Sequence, residues 1–134
     1  MSGTTIEYRP LPGSRAAIAI AGPHSVIADR PAAKAGGMGL GFNGGELLAL
    51  AIGGCFCNDL QVLADEARVA ITDLSITVSL DFDGQPSRTT AARMDVRCTL
   101  ADGSDPSELI ERAKALTNIG NSVRQGIPLE INAT

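Results

Sequence analysis

The chain has 134 residues, enough for one domain that buries its own core without metals or disulfides. Hydrophobic residues make up 44% of the sequence, which predicts a packed fold rather than a disordered chain. The formal net charge is −4 and the arginines are scattered. We therefore expect neither a nucleic acid nor an anionic membrane as partner, because both need clustered cations. Residues 1–134 are predicted to form a single domain.

The sequence also gives expectations about the compartment. The N-terminal residues MSGTTIEYRP do not resemble a secretory leader, and no uncharged run reaches the ~20 residues of a membrane span. Three cysteines are an odd number, and their spacing is not that of a disulfide framework. A reducing cytoplasm is the expected location. We expect neither a cofactor nor a metal.

Three short strands are predicted near the N-terminus, at residues 4–9, 15–21 and 24–29. The first two are separated by Leu11-Pro12-Gly13-Ser14, which is typical of a turn. Residues 31–45 are rich in glycine and are predicted to form a loop that leads into the first helix.

A long helix is predicted from Glu46 to Ala67. A helix that is apolar on every side must be buried on every side, and a small sheet covers only one of them. We therefore predict that a second copy of the chain covers the other side, in a homodimer. The apolar residues of its first turns are Leu47, Leu48, Leu50, Ile52, Phe56 and Leu60.

The next segment alternates apolar and polar side chains with a period of two, which is typical of a half-buried strand. After a turn at Asp83-Gly84-Gln85-Pro86, a second alternating segment is predicted to pair with it as a hairpin, with one face of the hairpin exposed to solvent. The two apolar sets are Leu74, Ile76, Val78, Leu80 and Phe82, and Ala92, Met94, Val96, Cys98 and Leu100.

A second helix is predicted to open at Asp105-Pro106-Ser107-Glu108, a capping residue followed by proline and then glutamate. It continues to Leu116, and a short helical turn follows up to Gln125. A last strand is predicted from Ile127 to Asn132. The order βββ-α-ββ-α-β is that of an α+β domain.

The three cysteines differ in setting. Cys55 and Cys57 point about 200° apart on a helix, so they neither pair nor hold one ion together. Cys98 is interpreted as a packing residue because it lies on the apolar face of its strand, and so is Cys57, which is close to Asp59 but lies on an otherwise apolar helix. Cys55 follows Gly53-Gly54, which leave room for a substrate or another backbone. Position alone does not distinguish it from a small core residue.

The stretch Asn43-Gly44-Gly45-Glu46-Leu47-Leu48, continued by Gly53-Gly54-Cys55, resembles the OsmC/Ohr family of osmotically induced and organic-hydroperoxide-resistance proteins. The shared features are a glycine-rich loop, a glutamate-leucine-leucine helix start and a cysteine closing an apolar segment. The resemblance implies an OsmC-like fold, with long helices buried between antiparallel sheets at the centre of an intertwined dimer.

In the family's peroxidases, the helix cysteine attacks a hydroperoxide as thiolate and a second cysteine then closes a disulfide. An early arginine and a glutamate near the helix start hold the thiolate. The resemblance implies that Cys55 is the reacting cysteine and that Glu46 matches the general glutamate pattern. Arg15 or Arg9 is the expected cation, and spacing leaves that choice open.

Two positions depart from the peroxidase pattern. Gly45 stands where the peroxidases have the paired glutamate, and Ile119 where they have the second cysteine. Cys55 lies roughly 13 Å into its helix, beyond the reach of the N-terminal dipole, so a thiolate there needs a nearby cation. A two-cysteine peroxidase is therefore excluded by this alignment, and a one-cysteine peroxidase is not.

Two functions are consistent with these features. The first is thiol-dependent reduction of organic hydroperoxides by one cysteine, in oxidative stress defence, with an external thiol as reductant. The alternative is a non-peroxidatic OsmC-like protein that binds an apolar small molecule at the dimer interface. Cys55 favours the first, whereas Gly45 and Ile119 favour the second.

Overall fold

The computed structural model describes residues 2–134 and confirms the predicted α+β fold with antiparallel sheets. The chain divides into two compact units, one up to Leu48 and one from Ala49 onwards, and the single domain stays a prediction. In chain order the elements are β1 (Glu7–Pro10), β2 (Ala17–Ala21), β3 (His24–Ala28), α1 (Gly44–Glu66), β4 (Ile71–Asp83), β5 (Arg88–Leu100), α2 (Ser107–Leu116) and α3 (Asn118–Gln125).

The first unit contains an antiparallel sheet in the order β1-β2-β3. Ala19 at the middle of β2 pairs with Tyr8 on one side and with Val26 on the other. The turn between β1 and β2 is closed by the Ser14 hydroxyl, which donates to the carbonyl oxygen of Leu11 at 2.8 Å. Because this turn uses residues that the alternation had assigned to a strand, β2 begins two residues later than predicted.

A buried carboxylate organises the glycine-rich loop after β3. The side chain of Asp29 is 1% exposed and accepts hydrogen bonds from three backbone N–H groups of the loop. The donors are Arg30 at 2.7 Å, Met38 at 3.1 Å and Leu40 at 3.0 Å. The loop between β3 and α1 is therefore fixed by one side chain, although it has almost no regular secondary structure.

The same loop depends on a glycine at position 41. Its backbone lies against β3, where the Phe42 N–H donates to the Ile27 carbonyl oxygen at 2.9 Å. A Cβ atom at Gly41 would collide with that oxygen. Glycine is therefore required here by the close approach of two backbone segments.

The second unit contains the β4–β5 hairpin, whose strands have 13 residues each. The predicted apolar faces meet in register, with Leu74 opposite Cys98 and Val78 opposite Met94. The distal part of the hairpin differs from the prediction, because Phe82 is 56% exposed. The alternation therefore predicted the face correctly but not how far along the hairpin the core extends.

Helix α1 packs against the hairpin to form the core of the second unit. The contact is close at Gly53, where an added Cβ atom would lie 3.0 Å from Cγ2 of Val78. The helices α1 and α2 and the strand β5 supply the buried side chains of this core. These are Phe56, Leu60, Leu63, Ala64, Cys98, Leu100, Leu109 and Ala113.

The opposite side of α1 is open in the single chain. Leu50 is 48% exposed and Val62 is 56% exposed, so burial on every side is not reached within one chain. Within residues 2–134, α1 is the one helix that is long and apolar enough to cross a membrane by length and composition. A core helix of a small domain meets the same criterion, and the expectation of no membrane partner stays a prediction.

The structure differs from the prediction at the C-terminus, where residues 126–134 form no hydrogen-bonded strand. Ile127, Leu129 and Ile131 are 73%, 81% and 87% exposed. Their alternation is that of a strand, but a strand also needs a neighbouring backbone for its hydrogen bonds. The single chain does not provide that neighbour.

The carboxylate of Asp29 is expected to make stability depend on pH. The hydrogen bonds from the N–H of Leu40, Met38 and Arg30 outweigh burial and hold the pKa of Asp29 below its ordinary value of 3.8. Because the folded state lowers this pKa, the stabilisation is present above pH 3.8 and is lost as the pH falls through the folded value. We expect Asp29→Asn to lower the urea midpoint at pH 7, with a difference from wild type that shrinks below pH 3.8.

Asp65→Asn is the matched control, because Asp65 is exposed near the end of α1. Its urea midpoint should stay close to that of the wild type at both pH values. A difference between Asp29→Asn and the wild type that persists unchanged at pH 3 would contradict the assigned role of the Asp29 charge.

Candidate functional site

Cys55 is half-buried in α1, and its sulfur has two polar neighbours. The hydroxyl of Thr117 donates to Sγ across an Oγ1–Sγ distance of 3.6 Å. The thiol in turn donates to the carboxylate of Asp59 across an Sγ–Oδ2 distance of 3.7 Å. The sulfur therefore accepts one hydrogen bond and donates another, both of the weak kind that sulfur forms.

Thr117 reaches the sulfur because it lies at the break between α2 and α3. Its N–H closes α2 on the carbonyl of Ala113, and its carbonyl accepts the first bond of α3 from Asn121, both at 2.9 Å. The residue is 2% exposed, and an added Cβ atom at Gly120 would lie 2.5 Å from its Cγ2. Glycine at 120 therefore lets α3 turn closely around Thr117 and holds the hydroxyl toward Cys55.

Asp59 lies one helical turn after Cys55, on the same face of α1. Its carboxylate suits a protonated thiol, which donates a hydrogen to it. A negative charge on sulfur would instead face the negative carboxylate. Among the described residues of the second unit, the charged group in contact with the sulfur is thus an acceptor rather than a cation.

The two glycines before Cys55 have different roles. Gly53 is buried against the side chains of β4, so its missing side chain serves packing. Gly54 is exposed, and a Cβ atom there would meet nothing within 4 Å. The approach predicted from the glycine pair is therefore open at Gly54.

Glu46 caps the start of α1. Its Oε1 accepts the backbone N–H of Asn43 at 3.0 Å, and Oδ1 of Asn43 accepts the N–H of Glu46 at 2.9 Å. This reciprocal pair is a capping box that satisfies two free backbone donors. The geometry gives Glu46 a structural role, while its predicted role toward Cys55 stays a prediction.

The two candidate arginines lie in the first unit. Arg9 on β1 forms an exposed ion pair with Glu7 at 2.8 Å. Arg15 follows the turn before β2, and its side chain lies over the backbone of Gly36 in the glycine-rich loop. Within residues 2–134, Arg15 forms no ion pair. The pairing of either arginine with Cys55 stays a prediction.

Cys98 lies in the core as predicted, whereas the packing role of Cys57 stays a prediction. Cys98 is 9% exposed in the core, and burial, followed by the negative charge of Asp73, raises its pKa. Cys57 is half-buried, and all three cysteines are free thiols. In the described part of the chain, no three His, Cys, Asp or Glu side chains converge as a metal site would require.

Thr117 and Asp59 were missed as functional residues by sequence reasoning. The spacing of four residues on a helix is a signal that would have linked Asp59 to Cys55. For Thr117 the sequence showed only that the second predicted helix ends at Leu116, just before it. That it lies beside Cys55 depends on tertiary packing.

A cavity of about 220 Å³ lies beside Thr117, against α1 and β5. Apolar side chains of α1 and β5 form most of its wall, and basic side chains stand among them. The lining residues are Ile52, Phe56, Ala92, Arg93, Met94, Val96, Lys114, Thr117, Gly120, Val123 and Arg124. Thr117 therefore belongs both to the cavity wall and to the surroundings of the thiol.

Comparisons with known proteins agree with the fold. The sequence model of the family described as OsmC-like protein matches residues 36–132. A search of the curated proteins finds no match to this sequence. Among solved structures, an OsmC-like protein from Mycoplasma pneumoniae is similar, with a TM-score of 0.74 and 17% identity over 94% of this chain and 89% of that one.

Two further solved structures are similar over most of their length. An osmotic stress induced and detoxification response protein from Psychrobacter arcticus has a TM-score of 0.72 and 18% identity, covering 91% of this chain and 89% of that one. An organic hydroperoxide resistance protein from Legionella pneumophila has a TM-score of 0.62 and 17% identity, covering 92% and 90%. At these identities the likeness establishes the fold.

The settings of the thiols predict an order of reactivity. Brief treatment of the native protein with iodoacetamide at pH 7.5 should label Cys55 and Cys57 before Cys98, because burial and a raised pKa both leave Cys98 as a shielded thiol. Peptide mass spectrometry after quenching measures the order. Labelling of all three at one rate after unfolding in urea is the control. Preferential labelling of Cys98 in the native protein would contradict the assignment.

Proposed function

Because this chain belongs to the OsmC-like protein family, we propose that it reduces organic hydroperoxides with Cys55 as its single reacting cysteine. The observation that carries the proposal is the half-buried thiol held between the Thr117 hydroxyl and the Asp59 carboxylate. A hydrogen-bond donor to sulfur and an acceptor for its proton are the two groups that a thiol needs when it acts as a nucleophile.

The reaction begins with attack of Sγ on the terminal oxygen of R–O–O–H. A sulfur–oxygen bond forms while the oxygen–oxygen bond breaks. Asp59 accepts the thiol proton, which then passes to the departing alkoxide. The products are the alcohol ROH and the sulfenic acid of Cys55, so sulfur loses two electrons and the peroxide gains them. The Thr117 hydroxyl keeps its hydrogen bond to sulfur and fixes the direction of attack.

An external small thiol completes the cycle. It condenses with the sulfenic acid to form a mixed disulfide and water, and a second thiol releases Cys55 and leaves as the disulfide. The presence of three free cysteines and of Ile119 at the position of the family's second cysteine supports an outside reductant. The cytoplasm is the proposed location, since small thiols are abundant there.

Asp59 can be tested apart from the thiol itself. Asp59→Asn should slow sulfenic acid formation by cumene hydroperoxide by roughly 10- to 100-fold, because the proton then lacks its acceptor. Trapping with dimedone and mass spectrometry measures this rate. Alkylation by iodoacetamide should not slow, because removing the carboxylate removes a negative charge beside sulfur.

The control is Asp65→Asn, another carboxylate of α1 that is exposed and outside the site. It should leave both rates unchanged. If Asp59→Asn accelerates the reaction with hydroperoxide as well as alkylation, Asp59 acts only by repulsion and the proposed proton transfer is wrong. If the wild type forms no sulfenic acid with any alkyl hydroperoxide, the peroxidase function itself is wrong.

A second function is favoured by the cavity that Thr117 helps to line. Its wall is largely apolar, and Phe56 and Met94 contribute to it. Binding of an apolar small molecule without turnover fits such a cavity, and also fits the departures at Gly45 and Ile119. This function needs no reaction at Cys55.

We also propose that two copies of the chain form a homodimer. Leu50 and Val62 are exposed on the open side of α1, and Ile127, Leu129 and Ile131 are exposed at the C-terminus. Exposed apolar surface of this extent is typical of an interface. A second copy would cover the helix side and offer a backbone to the C-terminal residues.

The dimer predicts a molar mass of twice 13.8 kDa in light scattering at micromolar concentration. Leu50→Glu should shift the mass toward the monomer, because it places a charge on the open side of α1. Ser87→Glu is the control for added charge, because it lies in the exposed turn between β4 and β5 and away from α1, and it should have the smaller effect. A folded wild-type monomer at this concentration would rule out the proposed assembly.

A further inference from the structure

The Asp59 carboxylate lies beside the Cys55 sulfur without a cation to neutralise it. Its Oδ2 atom is 3.7 Å from Sγ, and the thiol is its hydrogen-bond partner. Within residues 2–134, the ion pairs join other side chains, among them Glu66 of α1 and Glu111 of α2. In the described part of the chain, no ion pair therefore offsets the negative charge of Asp59.

The setting of this charge limits how well solvent screens it. Cys55 and Asp59 are both half-buried, and they share one face of α1 because they are four residues apart. The sulfur is also in contact with Thr117, which is 2% exposed. Water surrounds the pair only in part, so the field of the carboxylate at the sulfur is screened less than on an open surface.

We propose that Asp59 makes Cys55 select its reaction partners by charge, favouring neutral and cationic molecules over anionic ones. A molecule that reaches Sγ also comes within a few ångströms of Oδ2, since the two atoms are 3.7 Å apart. Two unit charges about 4 Å apart change a rate roughly fivefold even with the screening of bulk water. Anions are therefore slowed at this thiol, whereas neutral molecules are not.

The same charge rule names a class of substrate, and this part of the inference rests on the proposed peroxidase function. Alkyl hydroperoxides are neutral at pH 7 and are accepted, whereas an anionic oxidant such as peroxymonosulfate is disfavoured. Peroxymonosulfate would transfer its outer oxygen to the thiol sulfur and leave as hydrogen sulfate, which gives the same sulfenic acid. The external reductant is likewise a neutral or cationic thiol rather than one that carries a carboxylate or a sulfonate.

Two thiol reagents of similar size and opposite charge measure the selection directly. Aminoethyl methanethiosulfonate is a cation and sulfonatoethyl methanethiosulfonate is an anion, and each forms a disulfide with the thiol and releases methanesulfinate. Peptide mass spectrometry gives the rate of each reagent at Cys55. In Asp59→Asn the ratio of the cationic to the anionic rate should fall at least about fivefold, because the carboxamide keeps the shape and removes the charge.

Cys57 is an internal reference in the same experiment. It lies about 200° around α1 from Asp59, so its rate ratio should change much less. Asp65→Asn is the matched control variant, because Asp65 is an exposed carboxylate of the same helix, and it should leave the ratio at Cys55 unchanged. In about 1 M salt, where the Debye length is about 3 Å, the difference between Asp59→Asn and the wild type should shrink. Circular dichroism of each variant checks that the fold is kept.

A pair of oxidants tests the substrate class separately. Dimedone trapping gives the rates at which tert-butyl hydroperoxide and peroxymonosulfate form the sulfenic acid of Cys55. Relative to the neutral peroxide, the anionic oxidant should gain at least about threefold in Asp59→Asn. Absence of sulfenic acid with the alkyl hydroperoxide, together with a fall in the methanethiosulfonate ratio at Cys55, would reject the peroxidase and uphold the charge selection.

Two results would overturn the inference. An unchanged rate ratio at Cys55 in Asp59→Asn would show that the carboxylate does not act on approaching molecules. A wild-type Cys55 that, compared with Cys57, prefers the anionic reagent would show that a cation such as Arg15 or Arg9 reaches the sulfur and outweighs Asp59.

Discussion

The close packing of α1 on β4 at Gly53 is the contact on which the second unit depends. Because Gly53 has no side chain, the helix comes near enough for Val78 to lie against its backbone. Phe56 and Leu60, on the same side of α1, are then fully buried. The two residues after Gly53 turn out of this contact, so Cys55 lies at its border, where it meets Thr117.

The polar surroundings of the thiol therefore depend on the interruption between the helices α2 and α3. At this interruption, Thr117 closes one helix and opens the other. The Thr117 hydroxyl donates a hydrogen bond to the Cys55 sulfur, and the Asp59 carboxylate accepts one from the thiol. The sulfur is half-buried between these two polar groups. In the proposed reaction the thiol proton moves to the Asp59 carboxylate as the sulfur attacks the peroxide.

The sequence predicted the elements well where their patterns are local. Strict alternation along β4 and β5 gave both faces, because period two admits one register with an apolar side. The C-terminal residues have the same alternation around Leu129, yet they form no strand in one chain, because pairing depends on a neighbour that alternation does not specify. Phe82 shows the same limit, since a pattern gives a face but not where the covering helix ends.

The candidate site was predictable only in part. Cys55 was found through the family resemblance, because its position by itself did not separate it from a core residue. The contact with Thr117 joins residues 62 apart in sequence, and no local pattern encodes it. Asp59 was within reach of helical spacing but was read only as a neighbour of Cys57. Glu46 is the opposite case, because asparagine followed three residues later by glutamate is a local capping pattern that can be read from the sequence.

The β4–β5 pairing and the Thr117–Cys55 contact also differ in the length of the loop that each of them closes. β4 and β5 are joined by a short turn, so their pairing closes a small loop and has a low entropic cost. The Thr117–Cys55 contact closes a loop that contains the whole hairpin and α2. We therefore expect the surroundings of Cys55 to assemble later in folding than the hairpin and to open before it. Such an opening would expose the thiol while the sheet is still paired.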